Sequence, residues 1–413
     1  MRRRDRGDRS GGCPPAAACD RVGDVTALTV VIAPDSFKGS ASAAEVAAAL
    51  AAGWAEVRPG DEVVLAPTAD GGEGTSDAFA AAVPGSVRHP VRVLGPSGDL
   101  VDASWLELPD GSAVVELAET SGLGLLRAPA PFDAHTIGFG QAIAAAVDAG
   151  TTSLLLAIGG SASTDGGAGV LTALGARLLD GAGTDIAPGN RGLAALVRAD
   201  LTGMRPLPPG GARILSDVTN PLLGPRGAAA VFGPQKGANP QDVLQLDAGL
   251  ARFAEVLDAA AVPGARASGR LSDVGRGDAG VRAREVSADD RGTGAAGGTG
   301  FGLRIWGADM TAGAPAVADA LGLPARIASA DLVITGEGRY DSQSASGKAP
   351  EHVAELARRA GVPVLLAAGA IAAEPTGFAD TVALADLAGG SAAAIADPLR
   401  WARAAGAALA SRT

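Results

Sequence analysis

The sequence predicts an α/β protein of two domains: a parallel-sheet domain assembled from discontinuous segments, and a mixed α/β domain inserted into it. Three observations carry this. Apolar runs of strand length repeatedly end in polar, glycine-rich clusters that lead into helix-like segments, as in a parallel sheet with helices on its faces. Between about residues 90 and 117 the pattern changes to short alternating strands joined by GPSGD and PDG turns, the language of antiparallel hairpins. And 413 residues with 47% hydrophobic content can bury more than one core.

Taken in order, LTVVIAP (28–34) is the first strand. It runs into DSFKGS and then a helix in which Ser42 and Glu45 have capping-box spacing. EVVLAP (62–67) runs into TADGGEG and a short helix from Thr75. After the hairpin region, LLLAIG (154–159) precedes GSASTDGGAG, and RILSD (213–217) precedes VTNPLLG. DLVITG (331–336) leads into TGEGRYDSQSASGK, with a helix from about Pro350, and VPVLLAAG (362–369) and TVALAD (381–386) complete the set. In such sheets ligands sit beyond the carboxyl ends of the strands, so the polar clusters are the places to look for chemistry. The polar, aperiodic stretch 264–292 reads as an exposed, flexible loop. The partition expected is residues 1–27 as a disordered extension or a stretch upstream of the true start, 28–89 and 305–413 as the discontinuous domain, and 90–304 as the insertion.

Composition removes several classes of function. Cys13 and Cys19 both lie in the N-terminal tail, so the folded body has no disulfide framework, cysteine metal site or cysteine nucleophile, which fits the cytoplasm. No apolar stretch is long enough for a membrane span. A net charge of −11 without a basic patch argues against nucleic acid and anionic membranes as partners. His89, His135 and His352 lack metal-ligand spacing. GTGAAG (292–297) matches a dinucleotide fingerprint but follows ADDR instead of a strand. GGSASTDGG has Ser163 where a nucleophile elbow needs glycine.

What remains is a set of lysines and carboxylates in strand-end loops. The chain has only three lysines, Lys38, Lys236 and Lys348, and each touches a glycine. That pairing suits phosphate, because glycine lets backbone N–H groups approach the oxygens while the ammonium supplies a point charge; it also suits ordinary surface turns. Asp35, Asp70 with Glu73, Asp165, Asp217 with Asn220, and Glu337 with Asp341 are the acids. Phosphoryl transfer asks for such an inventory: carboxylates for Mg²⁺, cations for phosphate, and one carboxylate for the proton of the attacking hydroxyl. Each acid could equally be a helix cap or turn residue, Asp35 and Asp70 above all.

VIAPDSFKGSASAAEVAAAL, PTADGGEGT, IGGSASTDGGAGVLTALGARLLD, SDVTNPLLGPRGAAAVFGPQKGA, GAAGGTGFGL and ITGEGRYDSQSASGKAP resemble the successive blocks of the class I glycerate kinases, in order and over nearly the whole chain. The resemblance implies ATP-dependent phosphorylation of D-glycerate, most often at the 2-hydroxyl, and two α/β domains, one flavodoxin-like and discontinuous, with the active site in the cleft between them. On that reading ATP and Mg²⁺ are the cofactors, and D-glycerate is the partner, with a homo-oligomer left open. Lys38, Lys236 and Arg226 are the candidates for the glycerate carboxylate or phosphates. Asp217 is the first candidate general base and Asp341 the second. Glu337 and Asp341 are the candidate Mg²⁺ carboxylates, and Lys348 a nucleotide phosphate contact. Asp35, Ser36, Asp70, Gly71, Glu73, Ser161, Asp165, Asn220, Arg339 and Ser342 complete the candidate substrate- and phosphate-binding set. Two departures from the family stand out: Phe139 occupies the place of a threonine whose hydroxyl could touch substrate or phosphate, and the 264–292 stretch is long. The alternatives are a metabolite-binding regulator that has lost turnover and a kinase of a related hydroxy acid.

Overall fold

The structure, a computed structural model, describes residues 26–260, 286–342, 344 and 348–413. The expected extension, apart from residues 26 and 27, and most of the 264–292 stretch lie outside the described residues. Two large sheets organise the rest. The first has five strands, in spatial order Asp380–Ala383, Val364–Ala368, Leu332–Gly336, Thr29–Pro34 and Glu62–Leu65, all parallel. Counted by position in the chain this is the order 2-1-3-4-5, one of the two common doubly wound arrangements. All 266 residues from Ala66 to Asp331 therefore intervene between its second and third strands.

The strands alternate as a buried parallel sheet must. Val30 and Ile32 face one side, packing with Val46 and Leu50 of the Ala43–Val57 helix and with Ala402, Ala405 and Leu409 of the Pro398–Ala410 helix. Val31 and Ala33 face the other side, with Ile327 and with Val353, Ala354 and Ala357 of the Ala349–Ala360 helix. The Ser42–Glu45 capping box forms as its spacing predicts: the Ser42 hydroxyl accepts from the Glu45 amide at 3.3 Å, and Glu45 accepts from the Ser42 amide at 3.0 Å.

The second sheet is mixed and has six strands, in the order Asp309–Thr311, Ala212–Leu215, Leu154–Ala157, Ala113–Glu116, Leu100–Glu107 and Val87–Leu94. Its first four strands are parallel, and the last two form the expected antiparallel meander. Because Asp309–Thr311 pairs with Ala212–Leu215, the change from one sheet to the other falls between Thr311 and Leu332, beyond residue 305. An apolar cluster packs Ala69 and Phe79, from the segment that follows Glu62–Leu65, and Val317 against Leu106, Val114, Leu155 and Leu215 of the second sheet. Among the described residues no helix is long and apolar enough to cross a membrane.

Candidate active site

The strand-end loops of the first sheet diverge where its order reverses. Thr29–Pro34 and Leu332–Gly336 are neighbours in register, Pro34 beside Gly336, yet the helices that follow them cover opposite faces. A crevice opens between such loops. Asp35, Ser36 and Lys38 follow the first of these strands, and Glu337 follows the second. The Asp35 amide donates to Gly336 O at 2.8 Å, so the acid is held at the very end of the ladder.

A third loop, after Glu62–Leu65, brings Asp70 to within 3.2 Å of Lys38 Nζ. It also reaches the second sheet. Gly71 has φ of +84°, and a Cβ there would stand 2.5 Å from Leu215 O; its own carbonyl accepts from the Gly159 amide at 3.1 Å. Only glycine allows both the left-handed turn and this approach. Asp217, just past the Ala212–Leu215 strand, accepts from the amides of Gly313 and Ala314 at 2.9 and 3.3 Å.

Charge then binds these groups together. Burial and the nearby charge of Asp70 push Asp35 well above the usual carboxylate range. Burial also raises Glu337, whose field includes the opposing charges of Lys348 and Lys38, and it raises Asp217, which feels Asp70 and Lys348. Desolvation works against the Lys38 ammonium, but Asp70 and Asp35 outweigh it and hold its pKa above the ordinary value. Lys348, at the start of the Ala349–Ala360 helix, thus acts on acids from both sheets. Glu337 Oε1 is buried and has no hydrogen-bond partner.

Two cavities adjoin the cluster, and Glu73 and Ala118 line both. The smaller, about 520 Å³, has Ser36, Lys38, Ser40, Ser42, Asp77, Glu116 and Glu119 in its wall. The larger, about 670 Å³, has Leu123, Leu125, Ile158, Val218 and Phe232 on its apolar side and Ser161, Ser216, Gln235 and Lys236 on its polar side. Lys236 is buried, donates to Ser163 O, and is pulled down to about 8 by desolvation.

The candidates of the sequence reading divide accordingly. Asp35, Ser36, Lys38, Asp70, Gly71, Glu73, Asp217, Glu337 and Lys348 come together around the strand ends, and Ser161 and Lys236 line the adjoining cavity. Asp165 lies apart from both cavity walls: it is fully buried and accepts from the Thr136 amide and hydroxyl and from the amides of Gly167 and Gly169, a structural employment of both oxygens. Asn220 donates to Arg226 O at 2.8 Å, and the Arg226 side chain is exposed. Arg339 is exposed, 3.8 Å from Asp341, whose amide donates to the Ser344 hydroxyl at 3.2 Å; Ser342 beside it is exposed.

Glu116 is the residue that sequence reasoning missed. It ends the Ala113–Glu116 strand, and its two oxygens accept from the amides of Gly74 and Ser76 at 2.8 and 2.9 Å, fastening the Glu73 loop to the second sheet. Burial lifts it to about 7. Its position at a strand end was the available signal. Phe139, in contrast, is fully buried in the core of the second sheet, so its ring does not replace a hydroxyl in the cavity walls. Tyr340 is also a core residue, edge-on to Phe378 at 5.8 Å.

Comparison with known proteins places the chain in a family. Residues 30–412 match the glycerate kinase family. Glycerate 2-kinase of Escherichia coli (strain K12) is 42% identical over 350 residues, 83% of this chain and 86% of that protein. Glycerate kinase of Bacillus subtilis (strain 168) is 42% identical over 349 residues, 83% and 85% of the two chains. A crystal structure of a glycerate kinase 2 candidate from Salmonella typhimurium LT2 superposes with a TM-score of 0.74 at 37% identity, covering 94% of this chain and 98% of that one. The family match defines the class: a phosphotransferase, of a kinase family, which implies the use of ATP. The chain belongs to the glycerate kinase family, and glycerate kinase activity is its activity.

Proposed function

We propose that the chain transfers the γ-phosphoryl of MgATP to the 2-hydroxyl of D-glycerate, giving 2-phosphoglycerate, in the cleft between a flavodoxin-like parallel-sheet domain and an inserted mixed domain. The 2-1-3-4-5 strand order and the interruption of the first sheet support the domain reading. The observation that carries the site is the meeting of strand-end loops from both sheets, in which Asp70 reaches Lys38 Nζ at 3.2 Å and Gly71 packs against Leu215 O, two residues before Asp217. The choice of the 2-hydroxyl is supported by the 42% identity to a protein named glycerate 2-kinase.

Asp217 is the proposed general base. Two amides orient its carboxylate, and burial raises its affinity for a proton, so it can take the hydroxyl proton as the phosphoryl group arrives. Lys38 and Lys348 offset the negative charge gathered around the transferred group. Glu337 and Asp341 are the proposed Mg²⁺ carboxylates. The buried, unpartnered Oε1 of Glu337 and the absence among the described residues of a cluster of three acids or histidines able to hold a metal suit an ion held by one or two carboxylates plus phosphate oxygens. When bound, Mg²⁺ supplies charge neutralisation at the phosphates. Closure of the cleft excludes water, which favours transfer to glycerate over hydrolysis. Phosphorus NMR of the product tests the reading: a 2-phosphoglycerate signal is expected, and a 3-phosphoglycerate signal overturns the positional assignment.

A further inference from the structure

Lys236 is 2% exposed and its ammonium donates to the carbonyl of Ser163. Lysine is almost never this buried unless paired, and an ammonium has three N–H donors to satisfy. The acid whose charge reaches it is Asp165, but that carboxylate is engaged by the Thr136 amide and hydroxyl and by two further amides. Among the described residues Lys236 thus makes no direct ion pair, and a buried cation without one costs stability.

The surroundings point into the larger cavity. Lys236 shares its wall with Gly160, Ser161, Ala296 and Gly297. Ser161 Oγ is 3.2 Å from Ala296 O, and Ala296 has φ of +54°, the left-handed region that a residue with a side chain adopts at some cost. A Cβ on Gly297 would stand 2.8 Å from Lys236 Nζ, so main chain closes tightly around the amine.

We infer that Lys236, with Ser161 and the main chain at 160 and 296–297, forms a buried socket for an anionic oxygen group of the ligand, whose charge completes the missing ion pair. The inference rests on the glycerate kinase reading, under which the group is either the carboxylate of the hydroxy acid or a nucleotide phosphate. Burial holds Lys236 at about 8 in the unliganded protein, with Asp165 behind it and Glu73 across the same cavity as the titratable groups that face it. An incoming anion stabilises the ammonium, so ligand binding near pH 8 takes up a proton.

Isothermal titration calorimetry of the full chain at pH 8, in two buffers of different ionisation enthalpy, reads that proton for D-glycerate alone and for MgADP alone. Uptake of about half a proton is expected with one ligand, absent in Lys236→Arg, whose guanidinium stays charged throughout. Uptake with D-glycerate places a carboxylate in the socket; uptake with MgADP places a phosphate there. Lys236→Met should bind that same ligand about tenfold or more weakly while its unliganded melting temperature at pH 7 does not fall. Undiminished uptake in the Arg variant overturns the socket. So does a wild-type chain that turns over D-glycerate but takes up no proton with either ligand, and the kinase reading then stands. A wild-type chain without D-glycerate turnover overturns both.

Discussion

Asp217 Oδ1 accepts a 2.9 Å hydrogen bond from the amide of Gly313, 96 residues further along the chain. The bond ties the end of the Ala212–Leu215 strand to the Gly313–Ala320 helix, through which the chain returns toward the parallel sheet. One carboxylate is therefore both a cap and the proposed base, and substitution can separate the two roles.

Asp217→Asn keeps an acceptor for the Gly313 amide and removes the proton acceptor. Its kcat should fall about 100-fold or more, with little change in ATP affinity or melting temperature. Asp217→Ala should in addition lose about 1 kcal/mol of stability with the cap. Steady-state kinetics alongside urea denaturation read both, and an Asn variant with wild-type turnover leaves the residue as a cap only.

Glu116 makes stability depend on pH in a defined direction. Its folded pKa of about 7 lies above the ordinary 4.5, so the folded chain binds the extra proton between those values. The stabilisation is fully present below about pH 4.5 and is lost as pH rises through about 7, an effect of about 3 kcal/mol. Thermal melts at pH 5 and pH 8 should show a larger fall for the wild type than for Glu116→Gln.

Tyr340 sits in a loop rich in candidate site residues, but its hydroxyl is 3.4 Å from Glu351 Oε2, a weak hydrogen bond. Tyr340→Phe should keep its kcat and lose less than about 1 kcal/mol. A large drop in kcat with an unchanged melting temperature would bring the phenol into the chemistry.

Removal of Mg²⁺ by EDTA should abolish turnover, and added Mg²⁺ should restore it. Glu337→Gln should raise the Mg²⁺ concentration for half-maximal rate by about tenfold or more. An unchanged Mg²⁺ requirement in a folded variant removes Glu337 as a ligand.

Gly297 has φ of +67°, and a Cβ there would lie 1.9 Å from Ser163 O. Gly297→Ala should cost at least about 1–3 kcal/mol, read by urea denaturation. Stability equal to the wild type would mean that the loop has room to move.

Much of this was legible in the sequence because strand ends punctuate it. The runs VVIAP, VVLAP, RIL and LVITG each stop at a cluster rich in Gly, Asp or Ser, and those clusters carry Asp35, Asp70, Asp217 and Glu337. The Ser42–Glu45 cap was legible for a similar reason, since its two partners are three residues apart. Glu116 was not, because AVVEL reads as an ordinary strand and its partners are amides 40 and 42 residues upstream. Asp165 in STDGG looks like a phosphate loop acid until Thr136, 29 residues away, is placed against it. Phe139 was ambiguous for the same reason: residue spacing records neighbours along the chain, whereas burial is settled by segments that arrive from elsewhere.

The interrupted sheet also governs the order in which the protein can be made. Thr335 donates its hydroxyl to Ala33 O, a partner synthesised 302 residues earlier. At roughly 5–20 residues per second, the newborn Thr29–Pro34 segment waits on the order of 15–60 s for its central neighbour to leave the ribosome. The inserted unit, whose six strands all lie between Val87 and Thr311, has everything it needs first. During translation the amino-terminal strand is thus a sticky guest without a seat, and shelter for it in that interval is a demand that the topology itself places on the cell.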